Sequence, residues 1–209
     1  MQINTNSNIN FNARNPQIRF ADDITRKINQ EFPRFSATRM ECLNASKLFV
    51  NEIEAQCGKI NKMRDYKKAY ETKPTLVEKA KSLFSTIKLF QLGNCGESAE
   101  LAFMFAKING IKNCSIAGLY HPKGNDYDHA VLFVKGKKPY IIDPWLGFAD
   151  YIPNAIKRYQ GEFKNCFELL DDEQIIFKEE PHVLNYDFTK KEVNKLKKAY
   201  SQYKLNPNA

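Results

Sequence analysis

The stretch Gly93-Asn94-Cys95-Gly96-Glu97 constrains this chain more than any other feature. A cysteine stands between two glycines, just after an apolar segment and at the mouth of a helix-like run. A histidine follows in Asp128-His129-Ala130 and an aspartate in Asp143-Pro144-Trp145, each on or at the end of a strand-like segment. A fold that uses the three together must bring one helix start against two neighbouring strands. A thiol is weakly nucleophilic until ionised. A helix N-terminus favours the thiolate through its unpaired backbone N–H groups and the positive end of its dipole. The same N–H groups can hold a developing oxyanion. Strand side chains alternate faces, so His129, Val131 and Phe133 share one face and Ala130, Leu132 and Val134 the other. If that strand packs on the cysteine helix, an imidazole near its start reaches the helix N-terminus and ionises together with the thiol. Taking Gly136-Lys137 as the two turn residues of a hairpin pairs Lys135 with Lys138 and sets His129 opposite Pro144, one beyond Asp143. An aspartate there holds the imidazole in one tautomer. Cys95, His129 and Asp143 thus read as nucleophile, base and orienter of a thiol triad. Singly, each has a blander reading: a small buried hydrophobe, a satisfied strand histidine, a turn aspartate. The ordered set is what is specific.

Composition narrows what surrounds these residues. The chain has 209 residues, 43% hydrophobic and 27% charged, as expected of one globular domain. No apolar run approaches the length of a membrane span. Residues 1–15 lack an apolar core, so no secretory signal peptide is expected; the Asn-rich segment 1–16 reads as a disordered tail. Five cysteines (Cys42, Cys57, Cys95, Cys114, Cys166) are scattered with no CxxC pair, which favours reduced thiols in a cytosol. The three histidines (His121, His129, His182) have no metal-ligand spacing, so no metal site is expected. The net charge of +8 fits either a lysine-rich soluble surface or an acidic partner. No helix-turn-helix, RNA-binding or zinc-finger pattern supports nucleic acid. Peripheral contact with an acidic membrane through Lys190, Lys191, Lys195, Lys197 and Lys198 stays open.

The spacing predicts helices over 22–30 and, with Met40, Leu43, Leu48, Val50 and Ile53 at helical period, over 36–57. Another is expected within 59–73. Thr75-x-x-Glu78 is a capping box opening a helix to about Phe90, with Leu76, Ala80, Leu83, Phe84 and Ile87 as its stripe. The cysteine helix carries Ala99, Ala102, Phe103 and Ala106 and stops at Asn109-Gly110. Strands are expected over 113–120, 128–134, 139–142 and 174–177, with helices over 152–159 and from the Thr189-x-x-Glu192 cap to about Tyr203. The organisation is a helical lobe (17–90), a triad-bearing core (91–185) and a C-terminal helix (186–209) in one domain. Glu97 and Glu100 read as favourable charges near a helix N-terminus. Trp145 is either a wall of the substrate site or core packing. His121 reads as a solvated loop histidine.

The segment from Gln91 to Gly147 resembles the papain-like and transglutaminase-like cysteine superfamily. His129-Ala130-Val131-Leu132-Phe133-Val134 followed by Tyr140-Ile141-Ile142-Asp143-Pro144-Trp145-Leu146-Gly147 is similar to the transglutaminase-core pattern. It also resembles the matching segments of arylamine N-acetyltransferases and of secreted bacterial effector proteases. The resemblance implies an α+β fold with a central helix packed on an antiparallel sheet, here with a helical N-terminal extension. It implies Cys95 as nucleophile, His129 as general base and acid, and Asp143 as orienter, with no cofactor. For the oxyanion hole it points to Gln91, four residues before the cysteine, or else to Asn94 or a backbone N–H. The Arg-Gly-Gly lead-in of the acetyltransferases is missing. The implied activity is that of a cysteine-dependent hydrolase acting on a protein, a protease. Alternatives are a protein-glutamine deamidase or transglutaminase with the same triad, and a silent binding module on the same fold. The Lys/Asn-rich composition and helical lobe look like a bacterial effector that reaches a host cytoplasm without a signal peptide and acts on a host protein. Otherwise the protein is expected in the cytoplasm. Oligomeric state is open.

Overall fold

Asn15 and Pro16 open the first helix earlier than periodicity suggests. The Asn15 side chain accepts from the Gln17 N–H (2.9 Å), and proline at the first helical position costs no hydrogen bond. Helix α1 therefore runs Pro16–Glu31, where the spacing placed it over 22–30. The structure, a computed structural model, describes residues 15–34, 36, 59, 62–63, 65–66, 68–69, 72–73, 75–123, 126–164, 174–179, 181–182, 184 and 188–205. Residues 37–57 of the helix expected over 36–57 and residues 1–14 of the Asn-rich tail lie outside them; within 59–73, where a helix was expected, the described residues 59, 62–63, 65–66 and 68–69 are helical.

The remaining elements are α2 (Leu76–Phe90), α3 (Cys95–Ile108), β1 (Cys114–Tyr120), β2 (Asp126–Val134), β3 (Tyr140–Asp143), β4 (Phe148–Tyr151), α4 (Ile152–Gln160), β5 (Ile176–Glu179) and α5 (Lys190–Leu205). Among the described residues this is an α+β fold of five helices and a five-stranded antiparallel sheet, ordered β4-β3-β2-β1-β5. Thr75 caps α2 by accepting from the Glu78 N–H (3.3 Å), and the whole predicted stripe is buried. Strand β4 has no counterpart among the expected elements. Four residues behind a Pro-Trp-Leu-Gly turn are too few to show an alternating pattern.

The sheet separates two apolar layers. On one face Ile116, Leu132, Val134, Ile142 and Ala149 pack with α1, α2, α3 and α5. On the other, Leu119, Val131, Ile141 and Phe148 pack with Ala155 and Tyr159 of α4. This is the two-residue alternation of pleated strands. Helix α3 is buried at every position from Glu97 to Lys107, its polar members Glu97, Ser98, Glu100 and Lys107 included. Ala99, Ala102 and Ala106, all fully buried, let it lie close to the sheet. The described part of the helical lobe shares this core.

The hairpin register corrects the expectation. Leu132 pairs with Ile142, Phe133 with Ile141 and Val134 with Tyr140, one residue out of step with a two-residue turn at Gly136-Lys137. The strands end at Val134 and resume at Tyr140, so the loop is five residues long. A one-residue slip swaps faces. Continued toward the site, the observed register sets Asp143 across from Val131, on the face that also carries His129. The expected register would have turned Asp143 to the opposite face. None of the described helices is long and apolar enough to cross a membrane.

Candidate active site

The cysteine comes first. Asn94 is the N-cap of α3 and Cys95 its first residue. The Asn94 N–H donates to Glu97 Oε2 (2.9 Å), and Ser98 Oγ donates to the Asn94 carbonyl (2.8 Å). Glu97 thus braces the helix start, in keeping with a charge near a helix N-terminus. The first helical N–H groups have no intrahelical acceptor, so Cys95 sits where donors gather. Its Sγ is half-buried and lies 3.7 Å from the Asp128 carbonyl oxygen.

Asp128 explains how the histidine is aimed. Its φ is +48°, a left-handed conformation that costs most residues about 1–2 kcal/mol and that Asp tolerates better. The β1–β2 register shifts there, with Gly118 facing Ala130 but Tyr120 facing Asp126. The extra residues on β2 form a bulge, a device that re-aims a side chain. His129 follows directly, 3% exposed.

Helix α3 packs on the Leu132 face of β2, opposite the face of His129. Its first residue nevertheless joins the second layer, since Cys95 packs against the cluster that contains Val131 and Trp145. The helix start therefore passes the end of the sheet, and thiol and imidazole meet there.

His129 Nε2 lies 2.7 Å from Asp143 Oδ2. The ring nitrogen left to face the thiol is Nδ1. Asp143 is fully buried and takes two more donors: the Leu146 N–H at Oδ1 (3.0 Å) and the Tyr159 hydroxyl at Oδ2 (2.7 Å). Burial works against charge on His129, but the Asp143 carboxylate overrides it, and with the nearby Cys95 holds the imidazole up to about 10. Burial likewise opposes charge on Asp143, yet His129, the Leu146 N–H and the Tyr159 hydroxyl together hold its carboxyl below the usual value. The pair is imidazolium and carboxylate at neutral pH.

Trp145 packs in the core beside the histidine. It is 6% exposed, and its ring lies 5.1 Å from the His129 ring. Its indole N–H donates to Ser36 Oγ (2.9 Å), which itself donates to Asn94 Oδ1 (3.2 Å). One hydroxyl thus ties the aromatic cover of the histidine to the cap of the cysteine helix. Gly147 closes the turn after Asp143 with φ +88° and an N–H bond to the Asp143 carbonyl (2.8 Å).

Cys95, His129 and Asp143 are therefore brought together, with Trp145 and Asn94 against them. Gln91 ends α2 in the left-handed conformation (φ +50°) and is exposed. Glu100, expected as a helix-start charge, is fully buried and faces His182 Nε2 at 3.1 Å. His121 accepts from the Lys123 N–H (3.0 Å) in its loop. Sequence reasoning missed Tyr159 and Ser36. A tyrosine on the apolar face of α4 looks like core, and nothing local says what its hydroxyl meets. Among the described residues no cluster of His, Cys, Asp and Glu has the geometry to hold a metal. The arrangement can ionise a thiol, pass a proton through Nδ1 and present backbone donors to an oxyanion. Compared with known proteins, the chain matches no family model and no curated sequence.

Proposed function

We propose that this chain is a cysteine-dependent hydrolase acting on a protein substrate, a protease on a papain/transglutaminase-like core. The observation that carries this reading is the buried His129–Asp143 pair (2.7 Å) aimed at a cysteine that opens a helix. The Cys95 thiolate attacks a carbonyl carbon. Charge gathers on the carbonyl oxygen beside the α3 N–H groups. His129 gives its Nδ1 proton to the departing amine as the C–N bond breaks, leaving a thioester on Sγ. Water then attacks the thioester and His129 accepts its proton. The carboxylic acid leaves and the thiol is restored. The order of helix, then sheet with His and Asp, supports the superfamily resemblance. The Lys/Asn-rich composition supports a bacterial effector acting on a host protein.

The test is incubation of a eukaryotic cell lysate with wild type or Cys95→Ala, followed by labelling of new N-termini and mass spectrometry. New N-termini that require Cys95 are expected. Conversion of glutamine to glutamate with ammonia release, and no cleavage, would reassign the same acyl-enzyme to a deamidase. No Cys95-dependent change would leave a binding module and end the hydrolase proposal.

A further inference from the structure

A groove of about 570 Å³ runs between α2 and α5, and none of Cys95, His129 and Asp143 lines it. Its floor is apolar: Leu76 and Ala199 are 3% exposed and Val77 is half-buried. Lys81 stands on the α2 side. Lys195 and Lys198 stand on the α5 side, three residues apart and so on one face of that helix.

Two carboxylates, Glu78 and Glu192, also line the groove, and each is turned back on the start of its own helix. Glu78 Oε2 accepts from the Thr75 hydroxyl (2.6 Å). Glu192 Oε2 accepts from the Thr189 N–H and hydroxyl, both at 2.8 Å. The Thr189 bonds hold the Glu192 carboxyl below its usual value, with smaller help from Lys195. The positive end of each helix balances its own capping carboxylate. Among the described residues no ion pair engages the ammonium groups of Lys81, Lys195 or Lys198. The groove therefore presents three cations above an apolar floor.

We propose that this groove docks an acidic peptide segment of a partner protein. Apolar side chains of the segment rest on Leu76, Val77 and Ala199, and its carboxylates meet the three lysines. The volume lies within the range of binding pockets, and a recess between two helices suits a chain better than a flat bilayer does. Among the described residues lining it there is no aromatic ring on which a base could stack and no arginine fork for phosphate. The inference stands apart from the hydrolase reading, since it uses no residue of the triad.

The experiment titrates the full chain into two fluorescein-labelled peptides, EELEELEE and QQLQQLQQ, and reads fluorescence anisotropy. Three exposed charge contacts support a preference of about tenfold for the glutamate peptide in wild type. The triple variant Lys81→Glu, Lys195→Glu, Lys198→Glu should abolish that preference. The triple variant Lys137→Glu, Lys190→Glu, Lys197→Glu makes the same change in net charge off the groove. Lys190 and Lys197 are two turns apart on another side of α5. At about 0.15 M salt, where charges beyond about 8 Å are largely screened, this variant should keep the preference. Equal affinity for the two peptides in wild type, or equal loss in both triple variants, would overturn the docking site. Equal affinity together with binding to phosphatidylserine vesicles that the groove variant loses would give the lysines to a membrane surface and overturn the peptide.

Discussion

Replacing Asp143 by asparagine keeps the shape of the site and removes one negative charge. The imidazole of His129 is held at about 10 against an ordinary value of 6.5. At 1.36 kcal/mol per pH unit, that rise corresponds to roughly 5 kcal/mol. Removing one partner of a buried ion pair generally costs about 3–5 kcal/mol, in agreement. Asp143→Asn is therefore expected to lose about 3–5 kcal/mol of stability near pH 7. The pH dependence follows from the two directions. His129 is raised on folding, so its contribution is fully present below pH 6.5 and fades as pH rises through about 10. Asp143 is lowered on folding, so its contribution is present above the ordinary carboxylate value and fades under acid. The deficit of Asp143→Asn should thus be largest between about pH 5 and 6.5 and shrink steadily as pH rises from there toward 10. Urea unfolding of both proteins across that range measures it. A deficit that stays constant from pH 6.5 to pH 10.5 would show that the residues share an uncharged hydrogen bond, and the ion-pair account would fall.

Native Cys95 should react with iodoacetamide faster than the thiols of the unfolded chain in wild type, and slowly in His129→Ala. Cys114, whose thiol burial pushes up despite Lys107, serves as the unreactive internal control. A Cys95 that reacts no faster than the thiols of the unfolded chain in either protein would remove the triad. Tyr159→Phe deletes one of the two donors to Asp143 Oδ2. It should cost about 1–3 kcal/mol in thermal or urea unfolding, and a change under 0.5 kcal/mol, the scale of ordinary surface substitutions, would mean the hydroxyl contributes little. Lys190, Lys191, Lys195, Lys197 and Lys198 are all exposed on α5. If they hold the chain to acidic membranes, charge reversal at three of them should abolish co-sedimentation with phosphatidylserine vesicles. Equal sedimentation of the two proteins would dismiss that contact.

What was legible in the sequence was what local chemistry dictates. The stripe of α2, its Thr75–Glu78 cap and the small face of α3 follow from helical period, and each is observed. The identities of Cys95, His129 and Asp143 were legible because reactive residue types stood at element boundaries. Their mutual orientation was not. It depends on a five-residue loop, which no Asn-Gly or Asp-Gly signal marks, and on a bulge centred on an aspartate with positive φ. Sequence patterns flag glycine for such positions, and here Asp128 fills one. Ser36 and Tyr159 reach the site from distant parts of the chain, so no window of sequence contains their partners.

The burial of α3 on every side has a consequence for how this molecule fails. The first turn of a helix is ordinarily where fraying begins, and local opening there needs little free energy. Here that turn carries Cys95, and the residues just beyond it are clamped among three helices and the sheet. Slow hydrogen exchange should accordingly extend along α3 to within a turn of Cys95. The thiol would then lose its alignment when the whole domain opens rather than before it, so heat inactivation and global melting should share one midpoint.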